Sequence, residues 1–285
     1  MASDISEKIR DYYPTFSKGQ KKLSVAIIKD YDKVAYMTAS KLGRFVGVSQ
    51  STVVRFATML GYDGYSEFQK AVQELVRAKL TPNQRIEITK QRIGHGEILE
   101  NVAESDIEKI RTTFSKLDKD TFHSACDAIL SAKRIYIMGA RSSEPLAMIL
   151  NYNLSLIFDN VKIVAPKSTA EIFEQMLSIG ENDLLIAFSF PRYSSQMVNA
   201  VRFAKQNKAK IIVFTDSKRS PLAEHATYLL TAESDMASFM DSFVAPLSII
   251  NAIIVEITAR REGLIRDRFE KLEKIWDEYQ VYTKR

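Results

Sequence analysis

Between residues 135 and 214 the chain carries three unbroken apolar runs: Ile135-Tyr-Ile-Met138, Leu184-Leu-Ile-Ala-Phe188 and Ile211-Ile-Val-Phe214. None alternates with period two, and none approaches the roughly 20 residues of a membrane span. Short and apolar throughout, they predict strands covered on both faces, as in a parallel sheet with helices on each side. With two weaker runs the expected strands are Arg134–Met138, Val161–Ala165, Asp183–Phe188, Lys210–Phe214 and Thr227–Leu230. Between them Ser143–Phe158, Thr169–Ile179 and Ser194–Gln206 have helical spacing, and a long helix, Met236–Arg261, follows the last strand. Strands alternating with helices predict an α/β doubly wound, five-stranded parallel sheet.

The first quarter of the chain has no period-two pattern. Ile5, Ile9 and Tyr12 repeat at helical spacing up to Pro14, and Leu23, Ile27 and Ile28 mark a second helix. Thr38 caps a helix that Gly47-Val48 breaks; Ser49 caps the next, Gln50–Leu60, which Gly61 closes. Tyr65, Phe68, Val72 and Val76 mark one more. The expected organisation is an all-α helix-turn-helix domain at 1–79, a linker at 80–103, the α/β domain at 104–262 and a C-terminal helical extension at 263–285.

Charge separates the same two blocks. Residues 1–79 hold 13 Lys/Arg against 8 Asp/Glu, while the remaining residues hold 27 of each. The excess positive charge therefore lies wholly in the helical block, which suits a phosphate backbone. A single cysteine, Cys126, excludes an internal disulfide, and three scattered histidines offer no metal-ligand spacing. No metal and no cofactor is expected. The N-terminus lacks an apolar signal core, so the expected location is the cytoplasm, with no membrane partner.

Span 38–60 has the layout of a helix-turn-helix. Val53, Ala57 and Leu60 fall on one face of the second helix and are expected to pack inward with Val48. Ser51, Thr52 and Arg55 fall on another, with Ser49 and Gln50 at the helix start, where recognition helices meet base edges. Arg reads guanine and Gln reads adenine. Lys41 and Arg44 on the first helix are placed to reach phosphates. A plain three-helix bundle with a polar face is the alternative.

In the α/β block, the first strand runs into Gly139-Ala-Arg141-Ser142-Ser143 and the third into Ser189-Phe-Pro-Arg192-Tyr-Ser194-Ser195, each ahead of a helix. Hydroxyls and free N–H groups at a helix N-terminus suit an anion. The alternative is that these serines only cap helices.

The run Ser49-Gln-Ser-Thr-Val-Val-Arg-Phe-Ala-Thr-Met-Leu-Gly-Tyr-Asp-Gly-Tyr-Ser-Glu-Phe68 resembles the N-terminal domain of RpiR-type bacterial transcriptional regulators. Gly43 departs from the alanine more usual there. The α/β block resembles the SIS (sugar isomerase) domain that follows in that family. Its first loop, Gly-x-Gly-x-Ser, aligns with Gly139–Ser143, so the resemblance makes Ser143 a phosphate-binding serine and puts Arg141 in place of the second Gly. The second loop, Ser-x-Ser-Gly-x-Thr, aligns with Ser189–Ser194, with Pro191-Arg192 replacing Ser-Gly and Ser195 an extra hydroxyl. The two arginines either meet a second anionic group on the ligand or pair with Glu144 or Glu171. The resemblance implies a regulator that grips operator DNA and answers to a phosphosugar effector in control of carbohydrate genes; one reading head sees too few base pairs for specificity, so a homodimer or tetramer on a palindromic operator is expected. An SIS-type sugar-phosphate isomerase is the competing reading, with Glu224-His225 as its acid–base pair; the reading preferred here is a regulator, not an enzyme.

Overall fold

A computed structural model describes residues 5–79, 81, 83–86, 89, 97–165, 168–235 and 238–283. The chain forms two units, Met1–Gln84 and Arg85–Arg285.

The first unit is helical: α1 (Ile5–Tyr12), α2 (Lys18–Lys29), α3 (Tyr31–Val34), α4 (Ala39–Val46), α5 (Gln50–Met59) and α6 (Tyr65–Lys79). Its boundaries follow local chemistry. Ser17 and Gln20 form a reciprocal capping box on α2. The Thr38 hydroxyl accepts from the Lys41 N–H on α4, and Ser49 accepts from Thr52 on α5. Gly47, at φ 75°, ends α4 in the left-handed conformation that glycine adopts without a Cβ clash. Val53, Ala57 and Leu60 are buried as expected, but the largest inward side chain of α5 is Phe56, which the sequence reading left out. Its ring meets Phe16 at 5.1 Å and Phe68 at 6.0 Å, so α5 is clamped between the N-terminal segment and α6.

The second unit begins its described elements with α7 (Ile98–Lys116), which starts inside the stretch read as a linker, and α8 (Lys119–Ser131). Then come β1 (Ile135–Gly139), α9 (Glu144–Ile157), β2 (Val161–Ile163), α10 (Thr169–Gln175), β3 (Leu184–Phe188), α11 (Ser195–Gln206), β4 (Lys210–Thr215) and β5 (Tyr228–Thr231). The strands form one sheet in the order β2-β1-β3-β4-β5, and every neighbouring pair is parallel. All residues of β1 and β3 are buried. One face is covered by α8, α9 and α12 (Val244–Arg260) through Ile129, Leu150, Ile249 and Ile253; the other by α10 and α11 through Ile172, Met197 and Val201.

Three expected helices are shorter than their apolar pattern, the first being α10, which ends at Gln175 and not at Ile179. The helix after β5 begins at Val244, not near Met236, which lies outside the described residues. Pro246 has no N–H and crowds the preceding turn, so it belongs in a first helical turn. Ahead of it, Asp241 is drawn into a buried ion pair with Arg85 (2.9 Å, side chains 3% and 5% exposed). The last helix, α13, spans Glu262–Glu278. Among the described residues no helix is long and apolar enough to cross a membrane.

Candidate functional site

In the helical unit, Gly43 explains how α4 and α5 meet. A Cβ there would lie 2.8 Å from the Val48 carbonyl oxygen and 3.4 Å from the Gln50 nitrogen. The Val48 N–H donates to the Gly43 carbonyl at 2.8 Å. Glycine thus lets the turn close directly onto α4, outweighing its poor helix propensity. From the other side, α6 holds the segment entering α4: Tyr65 Oη and Gln69 Nε2 both donate to the Met37 carbonyl, at 2.6 and 2.8 Å, and Gln73 Nε2 donates to Ala35 at 3.0 Å.

On this scaffold Gln50, Ser51 and Arg55 are exposed along α5, and Lys41 and Arg44 are exposed on α4. Arg55 Nε leans back to the Ser51 carbonyl at 3.4 Å. Ser49 and Thr52 are less available. The Ser49 hydroxyl serves as the cap and meets Ser51 Oγ at 2.9 Å and Thr52 Oγ1 at 2.8 Å. Thr52 is half-buried, its methyl group beside Gly19 on α2.

In the α/β unit the strand order reverses between β1 and β3: the chain leaves β1 for β2 on one side and returns to β3 on the other. The helices that follow these strands cover opposite faces, which opens a crevice at their C-terminal ends, the position at which open α/β sheets take ligands. Gly139 ends β1 in pairing register with Phe188. A Cβ on Gly139 would sit 2.5 Å from the Ser143 carbonyl oxygen, so glycine is what allows α9 to start so close above the strand.

The two serine loops meet at this switch point. Ser143 is 4% exposed, and its Oγ lies 2.9 Å from the Ala140 carbonyl and 3.1 Å from that of Phe188. Its single proton is held on main-chain oxygens, so the side chain ties the β1 loop to the end of β3; the resemblance had assigned that proton to a phosphate. Ser142 and Arg141 are exposed on the rim. Ser189 is buried, its N–H on the Phe214 carbonyl at 3.0 Å. Phe190 packs on Phe243 at 5.3 Å, and Tyr193 Oη donates to Asp216 at 2.7 Å. Arg192 and Ser195 are exposed, and Ser194 is half-buried. Ser143 and Ser194 occupy the N-cap positions of α9 and α11, yet neither side chain makes a capping hydrogen bond. Ser17, Thr38, Ser49, Asp118 and Ser168 do cap their helices. The reading in which Ser143 and Ser194 serve only as caps therefore does not describe this structure.

Arg141 and Arg192 have φ of 57° and 68°, left-handed values that cost a side-chain-bearing residue about 1 kcal/mol or more. Glu224 and His225 lie elsewhere. They sit in a short turn before β5, and Thr227 just after them donates to the Ile211 carbonyl at the start of β4. The sheet is parallel, so this pair is at its N-terminal edge, opposite the serine loops.

Both units match known families. Residues 3–79 fit the helix-turn-helix domain of the rpiR family and residues 128–256 fit the SIS domain. The chain belongs to the RpiR family. An HTH-type transcriptional regulator of Haemophilus influenzae is 25% identical over 80% of each chain. The regulator HexR of Escherichia coli is 23% identical over 94% of this chain and 92% of its own length. In fold, the RpiR chain is similar to the Vibrio vulnificus NanR protein, solved in complex with ManNAc-6P, with a TM-score of 0.62 at 19% identity over 98% and 99% of the two chains.

Proposed function

We propose that this RpiR-family chain is a ligand-controlled transcriptional regulator. The helical unit reads operator DNA with Gln50, Ser51 and Arg55 at base edges and Lys41 and Arg44 on phosphates. Ser49 and Thr52 hold the start of α5 and reach the backbone at most. The α/β unit senses a phosphorylated sugar. The phosphate sits between the first turns of α9 and α11, on the N–H groups that open α11 and on the hydroxyls of Ser189, Ser194 and Ser195, with Ser142 at the rim; Ser143 joins the two loops beneath it.

The observation that carries this reading is that Ser143 and Ser194, at the starts of α9 and α11 on the β1/β3 switch point, make no capping hydrogen bond. A dianion leaving water needs several charge-assisted hydrogen bonds together, and the hydroxyls with the first N–H groups of α11 supply them without a fixed charge, whereas at α9 the Glu144 N–H is taken by the Arg141 carbonyl and Pro145 has none. The complex of NanR with a sugar 6-phosphate supports the same ligand class. The non-enzymatic reading is supported by the regulator names of the relatives and by the position of Glu224 and His225 at the far edge of the sheet. A protein acting on bacterial operators works in the cytoplasm.

A dimer or tetramer fits this function, because one reading head sees too few base pairs for specificity and paired heads match palindromic half-sites. Within α12, Ile249, Ile250, Ile253 and Ile257 are used inside the core, while Val255 is exposed. Met148 and Tyr152 on α9 and Ile275 on α13 are among the other large exposed apolar groups.

The deciding experiment pairs titration calorimetry against a panel of sugar 6-phosphates with a gel shift on DNA selected from a random library. Replacing Ser189→Ala with Ser194→Ala is expected to weaken effector binding by about tenfold or more, the loss of one or two charge-assisted bonds, while ligand-free DNA binding stays intact. Unchanged effector affinity would remove the phosphate from these loops.

A further inference from the structure

Among the described residues four non-glycine residues have left-handed φ: Arg141, Arg192, Lys208 and Gln280. Lys208 follows the C-cap of α11 and Gln280 follows that of α13, where a left-handed residue ends a helix and satisfies its last carbonyls. Arg141 and Arg192 end no helix. They stand in the two loops that follow adjacent strands at the switch point, Arg141 opening the short turn that leads into α9 and Arg192 shortly before α11. Glycine would hold both backbones without strain, so each loop keeps a long cation where the conformation disfavours any side chain.

Neither guanidinium has a structural employment. Both residues are exposed, and neither guanidinium makes a hydrogen bond or ion pair among the described residues. Carboxylates are not lacking: Glu144 follows the first loop, and Asp216 after β4 accepts from Tyr193, the neighbour of Arg192, and from Thr215. The option that these arginines pair with Glu144 or Glu171 is thus not what the structure contains. On the phosphate reading above, the serine hydroxyls and the N–H groups opening α11 hold that group and leave both guanidinium groups for another. Guanidinium forks suit carboxylate and phosphate oxygens in bidentate contact.

We propose that the effector carries a second anionic group, a carboxylate or another phosphate, and that Arg141 and Arg192 receive it. The proposal rests on the phosphate reading above and names the ligand class within it: a phosphorylated sugar acid or a sugar bisphosphate, rather than a singly phosphorylated neutral sugar.

Titration calorimetry on the full chain tests this with glucose 6-phosphate, 6-phosphogluconate and fructose 1,6-bisphosphate; the last two separate carboxylate from phosphate as the second group. One of the doubly anionic probes is expected to bind at least about tenfold more tightly than glucose 6-phosphate. The double variant Arg141→Gly with Arg192→Gly is chosen because glycine relieves the backbone, so its melting temperature is expected to rise. In it the preference should fall below about threefold, with the affinity for glucose 6-phosphate changed by less than that. Equal affinity of the unmodified chain for all three probes overturns the proposal and leaves the phosphate reading standing. A preference that survives in the glycine variant overturns it as well, and so does a variant that loses ligand-free DNA binding. Failure of all three probes to bind overturns both readings.

Discussion

Tyr193 donates its phenolic hydroxyl to the Asp216 carboxylate at 2.7 Å, bridging the loop after β3 to the end of β4. The loop bearing Arg192 and Ser194 is thereby fixed at its middle as well as at its ends. Tyr193→Phe keeps the ring and removes the donor, while Asp216 still accepts from the Thr215 hydroxyl at 3.2 Å among its other partners. The expected cost is about 1.5 kcal/mol in urea unfolding, typical of a bond to a charged group. Effector affinity is expected to fall several-fold, since the loop must then be ordered on binding. A calorimetric titration showing full affinity would mean that the loop is held without this bond.

Gly43 makes a prediction opposite to the one helix propensity makes. Alanine gains about 1 kcal/mol in an isolated helix. Here its Cβ would press on the Val48 carbonyl, a backbone atom with nowhere to go. Gly43→Ala is expected to lower the stability of the helical unit and to weaken DNA binding by shifting α5 against α4. Chemical denaturation and a gel shift check both; a stabilised variant would show that the turn yields.

Arg55 is exposed a turn and a half into α5 and is held only by a long contact to the Ser51 carbonyl. Arg55→Ala is expected to cost about 1–3 kcal/mol on a selected DNA site and less on random DNA. Fluorescence anisotropy on both DNAs reads the difference. Equal losses would demote Arg55 to a phosphate contact.

Tyr65 makes the stability of the helical unit depend on alkaline pH. Burial pushes its phenol up to about 12 from the ordinary 10, and its proton is bonded to the Met37 carbonyl. The folded state therefore favours the neutral phenol. Its contribution is fully present below pH 10 and is lost as pH climbs from about 10 toward 12, where the unfolded chain ionises first. Denaturation midpoints across that window should fall for the natural chain and fall less for Tyr65→Phe.

The architecture was legible where one short stretch of chain decides the outcome. Thr38 and Ser49 declared their helices because an N-cap needs only a hydroxyl and a free N–H three residues on. Strands β1, β3 and β4 declared themselves because a strand buried on both faces has no polar position to spare. Features made by distant residues were not legible. Arg85 and Asp241 are 156 positions apart, and nothing near either marks the other. Phe56 was passed over because its ring is buried by Phe16 from the segment before α2 and Phe68 from α6, not by its own helical neighbours. At the candidate site the serine loops could be found from their composition and from the family likeness. That Ser143 bonds carbonyls rather than standing open could not, because it depends on how near β1 and β3 bring their ends.

The parallel sheet has one further consequence. Its interior is closed by residues such as Ile137, Ile186 and Val213, none of which reaches the rim, while Arg141, Ser142, Arg192 and Ser195 are exposed and add nothing to that interior. Rim and body are therefore separable inheritances. A descendant could be retuned to a different metabolite by exchanging a few surface side chains, with no repacking, so long as Gly139 remained to let α9 begin where it does.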